Sequence, residues 1–287
     1  MLAGGAALVA GAMMPRALGG QGGSEKAFAP GAAIEASVGG RLGVAALDTG
    51  TSERLTHRAE ERFPMCSTFK WLLAAQVLSR VDVGEESLDR VVRYGPADLL
   101  EYSPVTRKNV ESGGLTIAEL SAAAVRISDN TAANLLLATV EGPEGFTAFL
   151  RTLGDPTTRL DRTEPELNEA APGDPRDTTT PAAMLEDLRT VLLGDALSPA
   201  SRERLIDWMV TSTTGKARLR AGLPESWRVG DKTGTCGPGF ANDVAIAWPP
   251  DRPPILIAAY LAEAEASYED CSAALAEVGR GVAEAFA

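Results

Sequence analysis

The chain has 287 residues, 45% apolar and 23% charged, with a formal net charge of −12. That length supports a large core and two subdomains, and the acidic balance excludes nucleic acid as a partner, since phosphates would repel it. His57 is the single histidine, which excludes a histidine-rich metal site and any hydrolase triad built without it.

Leu2 to Met14 is an apolar run of signal-peptide length, too short to cross a bilayer as a helix. Gly19, Gly20, Gln21, Gly22, Gly23 and Ser24 follow as a flexible linker. Residues 1–29 are therefore expected to be signal peptide and linker, with the cleavage point left open between about residues 17 and 29. No basic region precedes the apolar run, so the true start is expected upstream. The mature protein is expected to be secreted or periplasmic and off the membrane, because no later stretch is long enough for a membrane helix. Of Cys66, Cys236 and Cys271, an exported chain can pair two and leave one thiol.

Arg41 to Asp48 is a short apolar run, followed by Thr49-Gly50-Thr51 and a second segment from Glu53 to His57. This is a hairpin pattern. The character then changes to helix over Ser67 to Arg80, Thr116 to Arg126, Thr131 to Thr139, Gly145 to Leu153, Thr180 to Gly194 and Ser198 to Val210. Thr180-Pro181 reads as a helix start with proline at the first position. Residues 159–177 fit neither period and predict a long compact loop. Trp227 to Thr235, Ala241 to Trp248 and Ile255 to Leu261 are strand candidates, broken by Gly237-Pro238-Gly239 and by the prolines 249–254. Ser272 to Phe286 is an Ala-rich helix. The fold class is α/β (α+β): a five-stranded antiparallel sheet flanked by helices, built from residues 30–62 and 211–287. An all-helical domain, residues 63–210, is inserted between them.

Three short motifs carry chemistry. Ser67-Thr68-Phe69-Lys70 opens an apolar helix, and its spacing puts an amine beside a hydroxyl on one face. That suits a serine nucleophile activated by lysine. The helix N-terminus would stabilise an anion there, although Ser67 alone reads first as an N-cap. Ser128-Asp129-Asn130 alone reads as a turn and cap. Lys232-Thr233-Gly234-Thr235 lies on a strand, where Lys232 could face a carboxylate and Gly234 admit a substrate backbone. Alone it reads as a solvated edge.

Together, in this order, the motifs resemble those of the penicillin-recognising serine enzymes. Arg162-Thr163-Glu164-Pro165-Glu166-Leu167-Asn168, with Arg176-Asp177-Thr178-Thr179-Thr180-Pro181, resembles the class A β-lactamases in particular. The likeness runs from about residue 30 to the end. It implies that Ser67 is acylated by a β-lactam, with Lys70 or Glu164 taking its proton. Ser128, helped by Lys232, would pass a proton to the ring nitrogen, and Glu164 with Asn168 would activate the water that releases the product. Tyr102 would gate the rim and Asn130 hold the substrate amide. Lys232, Thr233, Thr235 and Arg218 would hold its carboxylate, and Gly234 leave it room. Arg162 would pair with Asp177, and Glu164-Pro165 be cis. A Cys66–Cys236 disulfide, and with it carbapenem hydrolysis, follows from the same likeness. No metal or organic cofactor is implied; the partners are small-molecule β-lactams, and the enzyme is expected to be monomeric. A D-alanyl-D-alanine peptidase or a non-hydrolytic β-lactam sensor shares the first three motifs but lacks the Glu164 loop.

Overall fold

The computed structural model describes residues 24–287. The leader expected over residues 1–29 lies mostly outside them.

Six strands form one sheet: β1 (Glu25–Ala27), β2 (Arg41–Asp48), β3 (Arg54–His57), β4 (Arg228–Gly234), β5 (Ala241–Trp248) and β6 (Ile255–Ala262). Their order is β1-β3-β2-β6-β5-β4. Strands β2 to β6 pair antiparallel, with β2 running against β6 from Asp48–Ile255 to Arg41–Ala262. The sixth strand, β1, adds to the expected five. It lies parallel to β3, Glu25 opposite Arg54, in a stretch whose composition reads as linker. Cleavage after residue 27 would remove it.

β2 and β6 are almost continuously apolar because both faces of the sheet are covered. Side chains alternate along β6 with the two-residue period of a strand. Ile255, Ile257, Ala259 and Leu261 face one core, while Leu256, Ala258 and Tyr260 face the other.

The longer helices are α1 (Gly31–Val38), α2 (Phe69–Asp82), α3 (Ile117–Arg126), α4 (Asn130–Thr139), α5 (Gly142–Leu153), α6 (Pro181–Leu192), α7 (Pro199–Val210) and α8 (Tyr268–Ala285). α1 and α8 cover one face of the sheet, with Ile34, Val38, Leu275 and Val278 in that core. α6 and the helical body cover the other. Every residue of α2 from Phe69 to Leu78 is buried, so the helix carrying the first motif runs through the centre of the helical body.

Local chemistry sets the helix ends. Thr116 and Glu119 form a reciprocal capping box on α3. Asp129 caps α4 through the Ala132 N–H, and Thr180 caps α6 with Pro181 at its first position. Residues 159–177 form the expected irregular loop, with one short turn at Glu166–Asn168. The cleft opens where the end of β4 meets the turn before α2. A Cβ on Gly234 would stand 2.7 Å from the Met65 carbonyl and 3.2 Å from the Ser67 nitrogen. Only glycine allows that approach without a shift.

Candidate active site

Ser67 sits in a tight turn, Cys66–Thr68, that leads into α2. Cys66 has a left-handed φ of 45°, a conformation unfavourable for a residue with a Cβ and one often found at working sites. One helical turn on, the Lys70 ammonium is fully buried and lies 3.0 Å from Ser67 Oγ. It also donates to Asn130 Oδ1 at 2.5 Å and to the Ser128 carbonyl at 3.0 Å, and it pairs with Glu164 Oε1 at 2.8 Å. Glu164 Oε1 is itself 3.4 Å from Ser67 Oγ. A hydroxyl thus has an amine and a carboxylate within reach.

Ser128, with φ of 64°, precedes the cap of α4. Its Oγ lies 3.0 Å from Lys232 Nζ and 3.5 Å from Lys70 Nζ. Lys232 is fully enclosed on β4 and also donates to the Thr233 carbonyl at 2.6 Å. Burial pushes its ammonium well below the usual lysine range, and the nearby Lys70 charge pushes the same way.

The long loop presents Glu164 from the opposite side. Asn134, on α4, grips its backbone twice: Asn134 Nδ2 donates to the Glu164 carbonyl at 2.8 Å, and the Glu164 N–H donates to Asn134 Oδ1 at 2.9 Å. Asn168 Nδ2 donates to Glu164 Oε2 at 2.6 Å. The Glu164–Pro165 bond is cis. At the loop's neck, Arg162 Nε donates to Asp177 Oδ2 at 2.6 Å. The Asp161 and Arg162 N–H groups donate to Asp177 Oδ1 at 2.7 and 3.0 Å.

At the other end of the cleft, Arg218 is buried rather than displayed on a surface helix, with 2% exposure. It donates to the Gly234 and Asn242 carbonyls, each at 2.8 Å, and to Thr235 Oγ1 at 2.7 Å. Because the Thr235 hydroxyl accepts from Arg218, its own proton is free to point into the cleft. Thr233 Oγ1 donates to Thr214 Oγ1 at 2.7 Å. Cys66 and Cys236 are disulfide-bonded, Cα atoms 5.3 Å apart, tying the Ser67 turn to the residue after Thr235. Cys271 is a buried free thiol of α8.

The resulting cleft, about 320 Å³, is lined by Ser67, Tyr102, Ser128, Asn130, Asn168 and, at its far end, Thr214, Arg218, Thr233, Gly234, Thr235 and Tyr268. Tyr102 stands at the rim, half exposed, its carbonyl accepting from the Asn130 N–H at 3.0 Å. The geometry therefore gathers the sequence-derived candidates around one cavity. It adds three residues that sequence reasoning gave no separate role. Asn134 follows the second motif at helical spacing and was the most accessible of them to pattern. Thr214 and Tyr268 reach the cleft only through the packing of distant segments.

This chain belongs to the class A serine β-lactamases, hydrolases that act on the β-lactam ring; residues 31–286 match the model of the Beta-lactamase enzyme family. Beta-lactamase AST-1 of Nocardia asteroides is 52% identical over 255 residues, 89% of this chain and 82% of that protein. The carbapenem-hydrolyzing beta-lactamase KPC of Klebsiella oxytoca is 52% identical over 232 residues, 80% of this chain and 79% of that protein. Among solved structures, an ancestral (GNCA) class A β-lactamase superposes with a TM-score of 0.87 at 64% identity. It covers 89% of this chain and 98% of its own.

Proposed function

We propose that the protein hydrolyses penicillins and cephalosporins through a Ser67 acyl-enzyme, and carbapenems as well, and so confers resistance to them. The observation that carries this reading is Glu164, buried within 3.4 Å of Ser67 Oγ and held by Asn134 and Asn168.

Ser67 Oγ attacks the β-lactam carbonyl carbon and gives its proton to Lys70 or Glu164, both within reach. The Ser67 and Thr235 N–H groups receive the oxyanion. As the C–N bond breaks, Ser128 protonates the departing nitrogen and is resupplied from Lys70 or Lys232, which flank it. Lys232, Thr233 and Thr235 bind the substrate carboxylate, with Arg218 orienting Thr235, and Asn130 binds the amide. Glu164 then takes a proton from a water that attacks the ester carbonyl, and Ser67 leaves with its proton restored.

Carbapenem turnover is supported by the Cys66–Cys236 link, which fastens the nucleophile's turn to the carboxylate end of the cleft. A relative at 52% identity bears the name carbapenem-hydrolyzing. The described residues contain no helix long and apolar enough to cross a membrane, and we take the enzyme to act as an exported monomer.

The test mixes purified protein with a chromogenic cephalosporin, then with a penicillin and a carbapenem, and follows Ser67 by mass spectrometry. Rapid turnover is expected. A stable stoichiometric adduct with all three would instead indicate a peptidase or a sensor.

A further inference from the structure

The cleft has an aromatic side chain at each end. Tyr102 stands beside Asn130, and Tyr268 stands beside Arg218. Tyr268 is the first residue of α8, whose start is fixed by the Ser267 hydroxyl accepting from the Asp270 N–H at 3.1 Å. The next turn anchors that end of the helix, since Cys271 and Leu275 are buried in the core. The backbone beneath Tyr268 is therefore anchored, while the residue itself is 57% exposed. Its phenol oxygen has no hydrogen-bond partner among the described residues. One ring face lies against the Arg218 guanidinium, 5.5 Å from the ring centre, a cation–π distance that holds the ring over the arginine. An exposed aromatic ring held at a cleft mouth, with one face occupied and the remainder open, is suited to stacking on a ligand.

We propose that Tyr268 is a specificity-determining residue for β-lactams that carry a planar heteroaromatic group on the ring carbon next to the carboxylate-bearing carbon. The inference rests on the reading that β-lactams bind here with their carboxylate at Thr233 and Thr235. Arg218 links the carboxylate end of the cleft to the aromatic ring, donating to Thr235 Oγ1 at 2.7 Å while lying under Tyr268. A carboxylate bound at Thr235 fixes the carbon that bears it. The adjacent ring carbon is one bond away, so its substituent emerges at this end of the cleft and meets Tyr268. Groups on the amide side emerge toward Tyr102 and Asn168 and do not reach it.

The test compares two cephalosporins with the same amide side chain, one bearing a heteroaryl group at that carbon and one a methyl. The ratio of their kcat/KM values is measured for wild type, Tyr268→Ala and Tyr268→Phe. In the alanine variant the ratio falls about three- to tenfold, the effect of one stacked aromatic pair, mainly through KM for the heteroaryl compound. The phenylalanine variant keeps the wild-type ratio. Both substrates share the carboxylate, so any disturbance of Arg218 cancels, and so does a loss of folded enzyme. An unchanged ratio in Tyr268→Ala overturns the proposal, as does an equal fall in Tyr268→Phe. Failure of the wild type to hydrolyse either compound would instead remove the β-lactamase reading beneath it.

Discussion

Lys232 Nζ lies 3.0 Å from Ser128 Oγ, and Lys70 Nζ approaches the same oxygen at 3.5 Å. One hydroxyl thus stands between two amines in a buried pocket, so it can lose a proton and regain one without side-chain travel. The arrangement is costly to the fold. Burial first, and the charge of Lys70 second, hold the Lys232 ammonium well below its ordinary range. In the unfolded chain that lysine keeps its proton to about pH 10.4. Between the depressed folded pKa and that value the unfolded state binds more protons, so stability rises with pH across the window. Lys232→Met is expected to raise Tm at pH 7 by a few degrees, with the gain shrinking toward about pH 10. Activity should fall at least about 100-fold. Calorimetry from neutral to alkaline pH checks this; a lower Tm at pH 7 would contradict it.

Glu164 is assigned to release of the acyl group, so Glu164→Ala should still be acylated. Deacylation is expected to slow by about 10²–10⁴-fold, and Ser67 should carry the adduct in a mass spectrum taken seconds after mixing. Wild-type turnover by this variant would remove Glu164 from the mechanism.

A second buried acid, away from the cleft, sets a pH dependence of opposite sign. Asp187 on α6 faces Asp155, which accepts from the Thr157 and Thr158 N–H groups just before the long loop. Burial, then the Asp155 charge, raise its pKa well above the carboxylate range; Glu186 adds to the shift and Arg151 opposes it. Glu60 and Arg189 line the same hollow. Above about pH 3.9, the unfolded aspartate value, the folded state keeps a proton that the unfolded chain has lost. Stability therefore declines as pH rises toward the folded pKa. Asp187→Asn keeps the size and polarity of the side chain and removes the titration. Its melting temperature should exceed that of wild type by about 2–4 °C at neutral pH and converge with it in acid. Parallel pH profiles for the two proteins would refute this.

The neck of the long loop depends on Arg162 and the enclosed Asp177 carboxylate. Arg162→Ala leaves that carboxylate without its counter-ion, a change that typically costs about 3–5 kcal/mol. Because the loop carries Glu164, the expected signature is faster proteolysis within residues 159–177 and a larger loss in deacylation than in acylation. Single-turnover kinetics separate the two steps, and an equal loss in both would show that the neck does not serve Glu164 alone.

The Cys66–Cys236 bond spans 170 residues. In the chain-entropy account a loop of that size contributes about 5 kcal/mol. Cys236→Ser should lower Tm markedly in oxidised protein and have no such effect when compared with wild type under reducing conditions. Equal melting temperatures in the oxidised state would show that the bond contributes little.

Local signals made much of this legible from sequence. Thr116 with Glu119, Asp129, and Thr180 with Pro181 start helices through contacts that reach only a few residues. The apolar runs of β2 and β6 mark strands covered on both faces. Ser67 and Lys70 share a helical turn, so their proximity follows from spacing. Other features depend on contacts that no short window contains. Glu25–Ala27 becomes a strand only because β3 offers it an edge. Arg218 is buried because the Gly234 and Asn242 carbonyls and Thr235 converge on it from two strands. Tyr268 reaches the cleft because α8 begins beside that arginine, which its own neighbours in sequence do not reveal.

The register of β2 against β6 also bears on when the enzyme can exist. Arg41 pairs with Ala262 and Asp48 with Ile255, so β2, made early, has no partner on its β6 side until the end of the chain has been made. Its apolar side chains and open backbone groups on that side stay unsatisfied through most of synthesis, and contacts this distant form slowly. A growing chain therefore cannot close the cleft around Ser67. The cleft is complete only once α8 has been made, since its first residue, Tyr268, lines the far end.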